Sequence, residues 1–136
     1  MKKSILRKYA HLIAEKGGNV QKGQEVVIRA SVENPEFVQM VVEECYRCGA
    51  KQVEVEWSYQ PITKINMKKC SLKTLSTVEN WRVEKMKHKV ETLPVHIYLE
   101  SDDPDGLKGI DQVKNSKASQ AVHPPSHHWP LAVYCR

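Results

Sequence analysis

A chain of 136 residues, 40% apolar and 27% charged, is sized and composed for one globular domain with a continuous core, and is short for two. No run approaches the roughly 20 apolar residues that cross a bilayer, which excludes a membrane-spanning role. The start, MKKSILRKYAHLIAEKGG, lacks the unbroken apolar stretch and small-residue cleavage site of a secretory signal, so a cytoplasmic location is expected and Cys45, Cys48, Cys70 and Cys135 are expected as free thiols.

Leu6, Tyr9, Ala10 and Ile13 recur at helical spacing and predict a helix from about Lys3 to Lys16, with Gly17-Gly18 supplying a left-handed stop. EVVIRAS, residues 25–31, is short and β-branched, which predicts a largely buried strand. Asn34-Pro35 opens the next helix: the Asn34 side chain is placed to accept from an orphan N–H, and Pro35 suits the first helical position. Val38, Val41, Val42 and Cys45 form its apolar stripe, with Gln39, Glu43, Glu44 and Arg47 away from it, and Gly49 ends it.

QVEVEWS, residues 52–58, sets Val53, Val55 and Trp57 against Glu54 and Glu56, the period-two mark of a strand with one wet or partner-facing side. Residues 61–93 read as helical in two pieces, the first opened by Pro61, the second by a Ser76-x-x-Glu79 capping box with Val83, Met86 and Val90 facing inward. PVHIYLES, residues 94–101, is the third strand. This order predicts an α/β fold: a parallel or mixed sheet of at least three strands, joined by right-handed βαβ crossovers. From Ala121 the composition changes, and Pro124, Pro125 and Pro130 bar a regular element over most of residues 121–136. Residues 1–120 are therefore expected as the domain and 121–136 as an irregular tail.

The net charge of +5 resides in residues 61–93, which hold eight Lys/Arg against three Glu. With Trp81 among them, a phosphate-binding face is one reading, and a solvated pair of helices balancing an acidic neighbour is the other.

Residue types that carry chemistry are present without the arrangements chemistry needs. A redox Cys-x-x-Cys puts its first thiol at a helix N-terminus, where the dipole favours thiolate; Cys45 and Cys48 lie at a helix C-terminus. The other zinc ligands on offer, His123, His127 and His128, sit in the tail. His96 alternates with apolar residues in a strand, and His11 and His88 lie in helices without visible partners. Asp102, Asp103 and Asp105 follow a strand, where open α/β sheets bind ligands, yet Asp-Pro and Asp-Gly also form turns. Glu54 and Glu56 share a strand face with no His, Cys or Asp beside them. No glycine loop follows a strand as a phosphate site requires, and no Ser or Cys occupies a nucleophile elbow. Catalytic, cofactor-binding and metal-ligating residues are accordingly assigned as none.

NVQKGQEVVIRA, GAKQVEVEW and DPDGLKGID, in this order, resemble the N-terminal region of the thermophilic metallo-aminopeptidase family of the T, S and II type, over about residues 5–120. The resemblance implies an N-terminal α/β domain of a dimeric hydrolase that removes N-terminal amino acids from peptides using two divalent ions (Co, Zn, Mg or Mn), which polarise the peptide carbonyl and activate a bridging water. It also implies that the Glu, His and Asp metal ligands and a catalytic Tyr lie in a C-terminal domain beyond this chain, so that the chain alone is inactive. The departure at Ala121 matches a truncated product whose last sixteen or so residues are read out of frame. The alternative from another class is a small basic module that binds nucleic acid or an acidic protein through Lys64, Lys68 and Lys69. A Cys/His zinc protein is a third reading.

Overall fold

The computed structural model describes residues 2–99, 113–114, 117–118 and, as backbone alone, 132–135. Two compact units are present. One holds residues 2–58 and 92–99 with the strand at 132–135; the other holds 59–91 and the described residues 113–114 and 117–118.

The first unit begins with helix α1, Lys3–Leu12, which runs into a single π turn over Ile13–Gly17. Strand β1 is Glu25–Ser31, helix α2 Pro35–Arg47, strand β2 Gln52–Ser58 and strand β3 Val95–Leu99. A fourth strand, β4, forms at Ala132–Cys135. The sheet order is β2-β1-β3-β4 and every pairing is parallel, which bears out the α/β expectation. The register aligns Ile28 with Val55 and Ile97, and Ala30 with Trp57 and Leu99. That face packs against α1 and α2 through Ala10, Ile13, Ala14, Val38, Met40, Val41 and Cys45. The central strand β1 is buried at every position from Val26 to Ser31 except Arg29, while β2 at the edge keeps its alternation.

Several local expectations are corrected. Gly17 and Gly18 are not left-handed; Asn19 is, at φ 47°. Gly18 serves close approach instead, since a Cβ there would stand 3.2 Å from Val95 Cγ1, and its N–H donates to Ile13 O across the π turn. Asn34 makes no side-chain cap. Its ψ of 59° departs from the extended geometry that aims a cap side chain at the helix, and its carbonyl accepts from Val38 N–H. Tyr9 and Trp57, expected inward, are about half exposed.

In the second unit, residues 60–92 form three helices rather than two: α3 Gln60–Lys69, α4 Leu72–Ser76 and α5 Asn80–Thr92. Ser76 ends α4 and opens nothing. The cap is Ser71, whose Oγ accepts from Thr74 N–H at 3.1 Å. Val83 and Val90 are exposed, Met86 is half-buried and Lys89 is buried. With so few apolar side chains, α5 has no strong apolar stripe.

Gly49 closes α2 in a Schellman pattern: Ala50 N–H donates to Cys45 O and Gly49 N–H to Tyr46 O. Its φ is +100°, and a Cβ would lie 2.9 Å from Lys22 Cα. Gly49→Ala is therefore expected to cost about 2 kcal/mol, from a left-handed alanine together with a backbone collision. A urea titration checks this; an unchanged midpoint would show that the turn relaxes freely.

Candidate functional site

The two cysteines sit where helix geometry puts them. Cys45, in the last turn of α2, is fully buried, and Cys48 is its half-buried C-cap. Burial, then the neighbouring Cys48 and Glu44, push the Cys45 thiol up to about 12, and burial also raises Cys48. Both shifts oppose thiolate, so neither residue is poised for exchange or metal ligation. Cys70 is a third free thiol, in the second unit.

The principal polar assembly lies between α1 and α2, and its centre is Glu44. The expectation that Glu44 points away from the apolar stripe is corrected: its side chain is 1% exposed. The helix meets two neighbours, the sheet and α1, so its buried arc is wider than one stripe and takes in Met40 and, one turn on, Glu44. His11, expected without partners, donates from Nδ1 to Glu44 Oε2 at 3.0 Å, and Arg47 Nη1 donates to Glu44 Oε1 at 3.1 Å. Arg7 Nη1 lies 4.0 Å from Glu44 and donates to Glu43 at 2.7 Å. The other ring nitrogen of His11, Nε2, faces Glu15. An open cleft of about 530 Å³ adjoins the cluster, lined on α1 by Ser4, Lys8 and Leu12 and on α2 by Arg47.

With a carboxylate at each ring nitrogen, the imidazolium form of His11 is favoured. The bond to Glu44 is the largest cause of its raised pKa, opposed by desolvation. Hydrogen bonds from Arg7 and Gln39 hold Glu43 below the usual carboxylate range. A raised histidine adds stability that is complete below its ordinary value of 6.5 and is lost as pH climbs through the folded value. A depressed carboxylate adds stability that is complete above 4.5 and is lost as pH falls through its folded value. Both are intact between those limits. Urea midpoints are thus expected to peak there and to fall on the alkaline side, and His11→Gln should flatten the alkaline limb; a limb unchanged in that variant would remove His11 from the account.

This donor set does not fit a divalent ion. Both nitrogens of His11 and both oxygens of Glu44 are engaged, and Arg7 and Arg47 would repel a cation. Among the described residues, no group of three or more His, Cys, Asp or Glu is arranged to hold a metal.

On the opposite sheet face, register places Arg29 of β1 between Glu56 of β2 and Tyr98 of β3. Arg29 Nε donates to Glu56 Oε2 at 2.9 Å, and its Cζ lies 6.0 Å from the Tyr98 ring centroid. Glu56 is thus an ion-pair member rather than half of an acid/base pair with Glu54. His96 is buried, its ring stacked on Tyr98. Sequence reasoning missed Arg29, although aligning the two period-two strands would have faced it with Glu56. Of the basic candidates, Lys68 and Lys69 close α3, where cations complement the helix dipole; Lys64 is in the same helix and His88 is exposed in α5. Asp102, Asp103, Asp105, His123, His127 and His128 lie outside the described residues.

Comparison with known proteins shows the family of this parallel α/β domain. A family model described as thermophilic metalloprotease (M29) matches residues 2–129. Aminopeptidase AmpS of Bacillus subtilis is 33% identical over 122 residues, covering 87% of this chain and 30% of that protein. Aminopeptidase PepS of Streptococcus thermophilus is 29% identical, covering 88% and 29%. The structure of wild-type AmpT from Thermus thermophilus superposes with a TM-score of 0.74 at 28% identity, over 88% of this chain and 30% of AmpT. The fold and the matches define a peptidase-type α/β domain. The chain belongs to the M29 thermophilic metalloprotease family, as the sequence resemblance indicated, and it spans about 30% of the length of the curated relatives it matches.

Proposed function

We propose that this chain supplies the N-terminal α/β domain, residues 1–120 with β4 added to its sheet from residues 132–135 of the expected tail, of a cytoplasmic metallo-aminopeptidase that releases N-terminal residues from peptides and works as a dimer. The observation that carries this reading is the family match over residues 2–129, joined to an AmpT-like parallel sheet. The two divalent ions such an enzyme uses (Co, Zn, Mg or Mn) would be held by residues beyond this stretch, a reading supported among the described residues by the His11–Glu44–Arg47 cluster being closed by its own ion pairs. No helix among the described residues is long and apolar enough to cross a membrane. The nucleic-acid reading of Lys64, Lys68 and Lys69 receives no comparable support.

Two measurements test the proposal. Residues 1–120 joined to the remaining part of AmpS should give chelator-sensitive release of leucine from leucine p-nitroanilide; a folded chimera without activity would overturn the assignment. The isolated chain, supplied with cobalt or zinc, should not hydrolyse that substrate, and turnover abolished by chelator would overturn the claim that it is inactive alone.

A further inference from the structure

β2 and β3 are protected against stray strand pairing in different ways. At β2 the chain uses side chains: the Tyr46 hydroxyl accepts the Val53 N–H at 3.0 Å, so a donor outside the ladder is already taken, and Glu54 and Glu56 place charge along the strand. The sequence of β3, Val-His-Ile-Tyr-Leu, offers no such protection: it contains no lysine, proline, aspartate or glutamate, and Val95, His96, Ile97 and Leu99 are all buried. As an edge, a strand of this composition would present a row of backbone donors and acceptors on which another chain could add. β4 meets that row. It pairs in parallel with His96 to Leu99, setting His96 against Ala132, Ile97 against Val133, Tyr98 against Tyr134 and Leu99 against Cys135.

We infer that residues 132–135 are a guard strand: they occupy the strand-accepting edge of β3 and keep a second copy of this chain from pairing there. β4 stands at the end of the sheet order and is four residues long, and a short edge strand is itself a poor template. Pro130 precedes it by two positions and limits extension of the ladder, because proline cannot donate. A parallel partner needs a connection of about a dozen or more residues, which the chain between Leu99 and Ala132 exceeds. Detaching an outermost strand breaks one ladder and leaves the pairing of β1 with β2 and β3 in place. The uncovered β3 strands of two copies can then meet about a twofold axis, joining the two sheets edge to edge in antiparallel pairing. This role depends on strand pairing alone and not on the peptidase assignment.

Val133→Pro/Tyr134→Pro in the full chain tests it. N–H groups alternate in direction along a strand, so one of two neighbouring prolines removes a donor that faces β3. Far-UV circular dichroism should be retained, while β3 amides should exchange with solvent at least about tenfold faster. Sedimentation velocity should show concentration-dependent association beyond that of the unsubstituted chain. Val133→Thr, which keeps every N–H and the β-branched shape, should leave exchange and association unchanged. Unaltered β3 exchange in the proline variant, or faster exchange without added association, would overturn the guard role. Collapse of its circular dichroism would also overturn it, making β4 an integral part of the fold. Association of Val133→Thr equal to that of the proline variant would do the same, tracing the effect to side chains rather than to strand pairing.

Discussion

Ile28→Ala is expected to lower the unfolding free energy by about 3–5 kcal/mol, the range for truncating a fully buried aliphatic side chain whose cavity cannot collapse. Ile28 is completely buried on the central strand, flanked in register by Val55 and Ile97 and packed under α1 and α2. Hydrogen-bonded strands on both sides hold the backbone in place, so the surroundings cannot close the void. Domains of this size have only about 5–15 kcal/mol in total, so the variant should be partly unfolded near physiological temperature. Ile28→Val should cost about 1 kcal/mol. Val55→Ala on the edge strand, where the side chain is half-buried, should fall well below Ile28→Ala. Equal losses at Ile28 and Val55 in urea titrations would mean that β2 is covered as completely as β1.

The parts of this fold legible in the sequence are those that local chemistry writes. Strands 25–31 and 52–58 were bounded by β-branched runs and turn residues, and both agree with β1 and β2. Pro35 marked the start of α2, and Gly49 its end. The failures share a cause, because each depends on a neighbour distant in sequence. Glu44 looked like a solvated residue on a helix flank until α1 lay beside it and supplied His11, thirty-three positions away. Gly18 looked like a left-handed stop, whereas its missing Cβ makes room for Val95. The inward face predicted for α5 rested on three apolar residues, of which Val83 and Val90 are exposed while Lys89 is buried. For the site, residue type and spacing drew attention to Cys45, Cys48, Glu54 and Glu56, but burial and pairing decided against chemistry at Cys45, Cys48 and Glu56. The resemblance carried by NVQKGQEVVIRA and GAKQVEVEW lay in ordered strings, which is why family membership was readable where side-chain partners were not.

Glu44→Ala is the second large effect, expected to cost about 2–3 kcal/mol. Two charge-assisted hydrogen bonds disappear, and a small apolar side chain replaces a carboxylate that fills buried space between two helices. The loss stays below that of a buried pair stripped of one member, because His11, Arg7 and Arg47 all reach solvent and rehydrate when the carboxylate goes. Packing and charge can be separated. Glu44→Gln keeps the shape and should lose less, whereas Glu44→Leu restores apolar contact and, if the carboxylate is present chiefly for pairing, should recover much of the alanine deficit. The ionisation of His11 gives a readout that packing alone would not move. In Glu44→Gln the largest cause of its raised pKa is gone, so the imidazole resonance followed by NMR should titrate nearer its ordinary value, and the alkaline decline in stability should shrink with it. Combining Glu44→Gln with His11→Gln should then cost less than the two changes summed, since each removes the same bond. Strict additivity, with the titration of His11 unmoved in Glu44→Gln, would mean that Glu44 holds α1 and α2 together through Arg47 and its own buried volume, with His11 a bystander.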